Sequence, residues 1–380
     1  MMLENIQKFV LVLLYGGLTL LSFTVLINPM KANRKANLFF GLFLLLWSSY
    51  WVLDVLRICG LQPMAWFALF VYSVQIFTPI FLFFSAVFFI NPDYRFRKKD
   101  LNCLIVPVIS WILLFNSERH PVIYHLVLFI NIAHNLPYIA LIYFKIRKHQ
   151  KRIKVISADT EPIDLQWLIK LNFLLFITII ITVGYELFNA FVYKMHQHVV
   201  MDLLFLFIVY STLYYVLRQK EIYPVDKRQR DELMAIELEN EEEETARKKL
   251  IPDHEFEILK QRLTDIMEKE KPYLDGDLNL LKLSDKIGIN AHQLSYLLNT
   301  GFQENFFYFI NKYRVQHARK MLSDNSFEKL SILGIGFESG FNSKTAFNTI
   351  FKKMTDMTPS EFRKQQFDPD SRQDHSKALD

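Results

Sequence analysis

Before Arg218, apolar positions run in blocks rather than stripes, and the blocks are long enough to cross ~30 Å of hydrocarbon as helices. Residues 6–27, 36–58, 64–90, 101–115, 122–144, 167–193 and 199–217 read as seven transmembrane helices. The fourth is the shortest and carries Pro107. After residue 217 the blocks stop. Residues 219–250 are polar and rich in helix formers, without a sustained heptad, and read as a charged helical linker or tether. From 252 to 364 the apolar period is helical throughout, with no strand-like alternation.

Leu259, Leu263, Ile266 and Met267 mark a leading amphipathic helix. A short helix over 280–287 then meets Gly288, and Asn290 is placed to cap a second helix starting at Ala291. Leu294, Leu297 and Leu298 point that second helix inward, leaving His292, Gln293, Ser295, Tyr296 and Asn299 outside. The device recurs some fifty residues later, with a helix over 331–338, a corner at Gly340, and a helix from about Ser343 capped by Asn342 or Ser343. There Phe347, Ile350, Phe351 and Met354 share one face, while Lys344, Thr345, Asn348, Lys352 and Lys353 share the other. The intervening helix, 304–322, buries Phe306, Phe307, Ile310, Ala318 and Met321 and is expected to expose Lys312, Arg314, Arg319 and Lys320. Two helix-turn-helix units on one chain are predicted.

Composition sharpens the division. Hydrophobic residues make up 51%, with 35 Phe and 17 Tyr, and the excess lies before residue 218. The net charge of +5 matters less than its placement. Thirteen Lys and Arg fall in the first, third and fifth connections, and only Arg119 and Lys194 in the second, fourth and sixth. By the excess of basic residues on cytoplasmic loops, the N-terminus is expected outside and everything after residue 217 in the cytoplasm of a bacterial inner membrane. Leu281 to Lys364 holds 12 Lys+Arg against 7 Asp+Glu, a balance suited to touching a few phosphates. Cys59 and Cys103 have no metal-binding spacing, so a disulfide framework or zinc site is not expected.

Ionisable groups within spans call for a reason. Asp54 and Arg57 stand three apart on the second span; Asn131, His134 and Asn135 lie on the fifth, Glu186 and Asn189 on the sixth, and Asp202 on the seventh. Asp54, Arg57, His134, Glu186 and Asp202 mark either a ligand site or helix–helix packing. After residue 217 there is no nucleotide-binding glycine loop and no catalytic constellation, so no enzyme, cofactor or metal is expected. Transporters with a regulatory tail, and signal receptors, are the rival readings.

The residues also carry a resemblance. The run FFYFINKYRVQHARKML followed by GFESGFNSKTAFNTIFKKMTDMTPSEFRK resembles the DNA-binding domain of AraC/XylS-type transcription regulators. Its marks are Gly340-Phe341-x-Ser343, Phe347-x-x-x-Phe351-Lys352, and Thr358-Pro359-Ser360-Glu361-Phe362-Arg363. About a quarter of the chain is covered, and the layout is similar to that of membrane-tethered members. The whole chain is thus read as all-α: a seven-helix transmembrane domain (1–218), a linker (219–251), a C-terminal domain (252–366) that the resemblance implies to be a seven-helix, two-unit AraC-type domain, and a disordered tail (367–380). By motif position, His292, Ser295 and Tyr296 would face bases in the first unit, and Lys344, Thr345, Asn348 and Thr349 in the second. Expected partners are promoter DNA, the lipid bilayer, RNA polymerase, a second copy of the chain and an unidentified small ligand or membrane signal. Ser284 and Gly336 depart from the family, which usually has Ala in the first helix of each unit.

Overall fold

The computed structural model describes residues 2–28, 33–115, 121–161, 163–191, 199–216 and 250–367. Most of the linker expected over 219–251, and nearly all of the tail after 367, lie outside the described residues. Every regular element described is helical, apart from one isolated antiparallel bridge between Ser157 and Asn279. The chain divides into two compact units: Met1–His149 with Leu165–Ile222, and Gln150–Asp164 with Tyr223–Asp380.

The first unit holds α1 (Met2–Ile27), α2 (Arg34–Ile58), α3 (Ala65–Gln75), α4 (Thr78–Ile90), α5 (Ile105–Phe115), most of α6 (Pro121–Ile156), α7 (Gln166–Phe191) and α8 (Val199–Val216). Its core gathers Leu14, Leu18, Phe40, Phe43, Leu44, Ala86, Phe89 and Leu168, all essentially inaccessible. Close approach of α1 to α2 is set at Gly41, where an added Cβ would stand 2.6 Å from Leu26 Cγ. There Ser22 Oγ donates to the Gly41 carbonyl at 2.8 Å, the small-residue contact that suits helices packed in lipid. Large apolar side chains such as Phe9, Leu20, Phe23, Trp66, Phe144, Phe173 and Phe207 point outward and are exposed.

Among the described residues, five helical stretches are long and apolar enough to cross a membrane: Glu4–Ile27, Arg34–Ile58, Ala65–Ile90, Gln166–Tyr185 and Val199–Val216. The expected third span breaks at Ile76 and Phe77, because Pro79 removes a helical N–H and disfavours helical geometry just before it. Thr78 Oγ1 caps the break by donating to the Gln75 carbonyl at 2.7 Å. The expected fourth span differs more. Residues Lys98–Leu104 form a 3₁₀ turn, and α5 has only 11 residues, about 16 Å at helical rise. α6 is 36 residues long, apolar up to Phe144 and basic from Lys145.

The second unit holds α9 (Asp253–Lys269), α10 (Leu280–Ile287), α11 (Ala291–Leu297), α12 (Phe306–Leu322), α13 (Ile332–Glu338), α14 (Lys344–Thr355) and α15 (Pro359–Phe367). Central to it is α12. Phe306, Phe309 and Ile310 are buried on it, while Phe307, Val315, Ala318, Met321 and Leu322 close on Ile335, Phe347, Ile350, Phe351 and Phe362 from α13, α14 and α15. The α13–α14 corner needs glycine: Gly340 has φ +88°, and a Cβ there would collide with the Tyr273 carbonyl oxygen and stand 3.0 Å from Leu274 Cα. Gly340→Ala is therefore expected to destabilise this unit by about 1–3 kcal/mol, read as faster hydrogen exchange across α12–α14.

Candidate nucleic-acid interface

Second-unit geometry follows from its caps. Ser343 is the N-cap of α14, its Oγ accepting from Ala346 N at 3.0 Å, and Ser331 does the same for α13 through Gly334 N. With that start, Phe347, Ile350 and Phe351 turn into the core. Lys344, Thr345, Thr349, Lys352 and Lys353 lie exposed on the opposite face, and Asn348 is half-buried. Gly336 explains its departure from alanine: an added Cβ would come within 2.6 Å of the Phe347 ring, so the glycine lets α14 seat its anchor. Lys353 is drawn aside, donating to Tyr308 Oη at 2.7 Å and lowering the phenol's pKa through that bond.

The terminal motif is structural. Glu361 Oε2 accepts from Thr358 N at 2.8 Å while Thr358 Oγ1 accepts from Glu361 N at 3.2 Å, a capping box with Pro359 opening the helix. Hydrogen bonds from the Thr358 backbone N–H and then its hydroxyl hold the Glu361 carboxyl below its ordinary range. Phe362 enters the core, and Arg363 donates to the carbonyls of Leu330 and Glu328 at 3.0 and 2.8 Å.

In the first helix-turn-helix, Gly288 takes φ +78° at the end of α10, and Asn290 and Gln293 form a reciprocal capping box on α11. Of the three first-unit residues implicated by sequence, His292 and Tyr296 are half-buried. The Tyr296 ring lies edge-on to Phe256 of α9 at 6.1 Å. Ser295, expected outside, is buried instead. It falls with Ala291, Leu294 and Leu298 on one i, i+3, i+4, i+7 stripe, the stripe that faces the core.

Arg314 is a second correction. Expected on the surface of α12, it is 1% exposed. Its Nε donates to the Tyr273 carbonyl at 2.8 Å and a terminal nitrogen donates to the Asp275 carbonyl at 2.9 Å. The guanidinium also lies 5.9 Å from the centre of the Phe341 ring. Burial lowers its pKa to about 10, opposed by the carboxylates of Asp159, Asp275 and Asp277, so it stays charged at neutral pH. One side chain thereby joins the approach to α10 with the corner before α14.

A different kind of site lies in the first unit. A cavity of about 800 Å³ is lined by Trp47, Trp51 and Phe205 together with Gln75, Asn131, Asn172 and Asp202. The Asp54–Arg57 pair, 2.8 Å apart and half-exposed, is also part of its lining. Trp51 Nε1 donates weakly to Asp202 Oδ1 at 3.4 Å. His134 is buried against Tyr138 and does not line the cavity, and the Glu186 side chain lies outside the described residues. Sequence reading missed Asn172, which is buried, donates to the Ile139 carbonyl at 2.9 Å and leaves its Oδ1 without a partner. Its signal, an amide inside an apolar run, was present in the chain.

With this geometry in hand, the comparisons fall into place. A helix-turn-helix domain family matches residues 283–365. Uncharacterized HTH-type transcriptional regulators from Staphylococcus aureus strains COL, MSSA476 and N315 are each 31% identical over 87 residues. That alignment spans 23% of this chain and 11% of each relative's length. No solved structure matches. Residues 283–365 are thus an AraC-type helix-turn-helix domain, which implies DNA binding.

Truncating the buried guanidinium tests its role. Arg314→Ala leaves two carbonyls without their donor and is expected to destabilise the unit by about 3 kcal/mol or more, measured as lost hydrogen-exchange protection along α12. Lys344→Ala is expected to stay within about 0.5 kcal/mol of the parent in the same measurement.

Proposed function

We propose that the chain is a membrane-bound, sequence-specific transcription regulator whose C-terminal unit reads promoter DNA in the cytoplasm. The observation that carries this reading is α14, anchored behind by Phe347, Ile350 and Phe351 and presenting Lys344, Thr345, Asn348 and Thr349 in front. The major groove of B-DNA admits one such helix, whose first turns then lie against base edges. His292 and Tyr296 are the corresponding first-unit residues, with Ser295 behind them rather than at the surface. The chain acts as a homodimer that contacts RNA polymerase, and it binds and signals rather than catalyses.

The five membrane-length helices among the described residues and their outward aromatic surface support a multi-pass protein, and the thirteen basic residues on alternate connections of the seven expected spans support a cytoplasmic C-terminus. The 800 Å³ cavity favours a receptor role for this half over a bare anchor. Its aromatic walls and carboxamides suit an amphipathic, uncharged ligand with a hydrogen-bond donor to offer Asn172 Oδ1.

Two measurements test the reading. Lys344→Ala is expected to weaken binding to all duplexes alike and to lower the salt slope of log K by about 0.9 if it meets a phosphate. A base-specific role is read instead as lost discrimination at one position with the slope unchanged. For topology, a reporter fused after residue 367 is expected to be active in its cytoplasmic form and silent in its periplasmic form; the reverse pattern overturns the proposal.

A further inference from the structure

We propose that residues 157–161, in the connection between α6 and α7, are an acidic latch that occupies the start of α14 and excludes DNA phosphate from it. The inference rests on reading α14 as the DNA-facing helix. Gln150–Asp164 belongs to the same compact unit as the helix-turn-helix domain. Two carboxylates, 183 and 182 residues away in sequence, meet the N-cap of α14 and the residue before it. Asn342 Nδ2 donates to Asp159 Oδ2 at 2.9 Å, and Ser343 Oγ donates to Glu161 Oε2.

The docking is built in rather than grazing. Ala158 is fully buried, and its carbonyl accepts from Asn311 Nδ2 of α12 at 3.0 Å. Ser157 pairs with Asn279, the N-cap of α10, and Lys154 lies over the Phe307 ring at 5.7 Å. Asp159 is held in a partly desolvated place, where burial raises its pKa despite Asn342 and Arg314. A solvated loop would have no need to carry an acid there.

A helix N-terminus with unsatisfied N–H groups and polar caps attracts anions, whether carboxylate or phosphate. Asn342 and Ser343 are the donors that a duplex backbone would use on approaching α14. Asp159 and Glu161 hold those donors and would also repel phosphate, so the docked latch and bound DNA are mutually exclusive. The link to sensing is covalent. α6 lines the cavity with Asn131, Asn135, Tyr138 and Ile142, and the same helix ends at Ile156, one residue before the latch.

The test uses the full chain in lipid nanodiscs with a mixed-sequence duplex at about 50 mM salt. Asp159→Asn combined with Glu161→Gln keeps shape and removes both charges. The latch predicts that this variant binds the duplex about 5- to 150-fold more tightly than the parent. It also predicts that saturating duplex speeds hydrogen exchange of amides 157–161 in the parent protein. Equal affinity of variant and parent, with Lys344→Ala weakening both, overturns the latch and leaves the DNA reading standing. Failure of parent and variant alike to bind any duplex overturns the DNA reading, and the latch with it. Should the double variant not fold, the parent's exchange decides: protection of 157–161 that survives saturating duplex overturns the latch.

Discussion

Everything in the C-terminal unit is arranged around a charge with nowhere to go. Arg314 sits inside the domain, fully protonated at neutral pH, and its planar fork is satisfied by the carbonyls of Tyr273 and Asp275. Burying an ion is unfavourable unless geometry and partners are good, so the backbone that supplies those partners cannot wander. The strand of chain before α10 is therefore pinned to α12. Gly340 is pinned as well, since its missing side chain is what lets the second corner lie against Tyr273. The second helix of each helix-turn-helix hangs from one of those two places. The spacing of α11 and α14 is then a property of one buried side chain more than of the surface between them.

Much of this unit was legible in the chain because it is local. The bounds 280–287 and 291 onward, the Gly288 corner and the Asn290 and Ser343 caps each depend on residues within four positions. What sequence could not show is which polar residue of an amphipathic helix finds a distant partner. Arg314 looks like its neighbours Lys312 and Arg319 until Tyr273, 41 residues away, is known to lie beside it. Asn342 competes on paper with Ser343 as a cap, yet bonds instead to Gly276 and Asp159. Ser295 was misplaced for a simpler reason, a stripe drawn one residue too narrow. In the apolar half, long runs hid the break before Pro79 and the shortness of α5, because hydropathy averages over both.

The motifs that carry the resemblance hold the fold. Gly340 makes the corner, Phe341 packs beside Arg314, Ser343 caps, Thr358 and Glu361 cap each other, and Phe362 and Arg363 tie α15 down. The outward residues of α14 sit between these fixed points and are unconstrained by them. That separation lets a domain keep its architecture while its exposed face changes.

Charge placement explains how two acids can govern such a domain. Of 12 basic residues between Leu281 and Lys364, Arg314 is sealed inside and Arg363 is tied to backbone carbonyls. Lys282, Lys286 and Lys312 each face a carboxylate within 3.2 Å, and Lys353 is bonded to Tyr308. Surface pairs of this kind add little stability, but they do reduce the field that would draw in a polyanion. Lys344 and Lys352 on α14 are among the basic residues that stay exposed. An intramolecular carboxylate pair needs no search to reach the same place, whereas a duplex must arrive from solution. A strongly basic domain would overwhelm such a competitor; here, with 12 basic residues against 7 acidic and half of the basic ones engaged, the proposed latch of Asp159 and Glu161 has less to compete with.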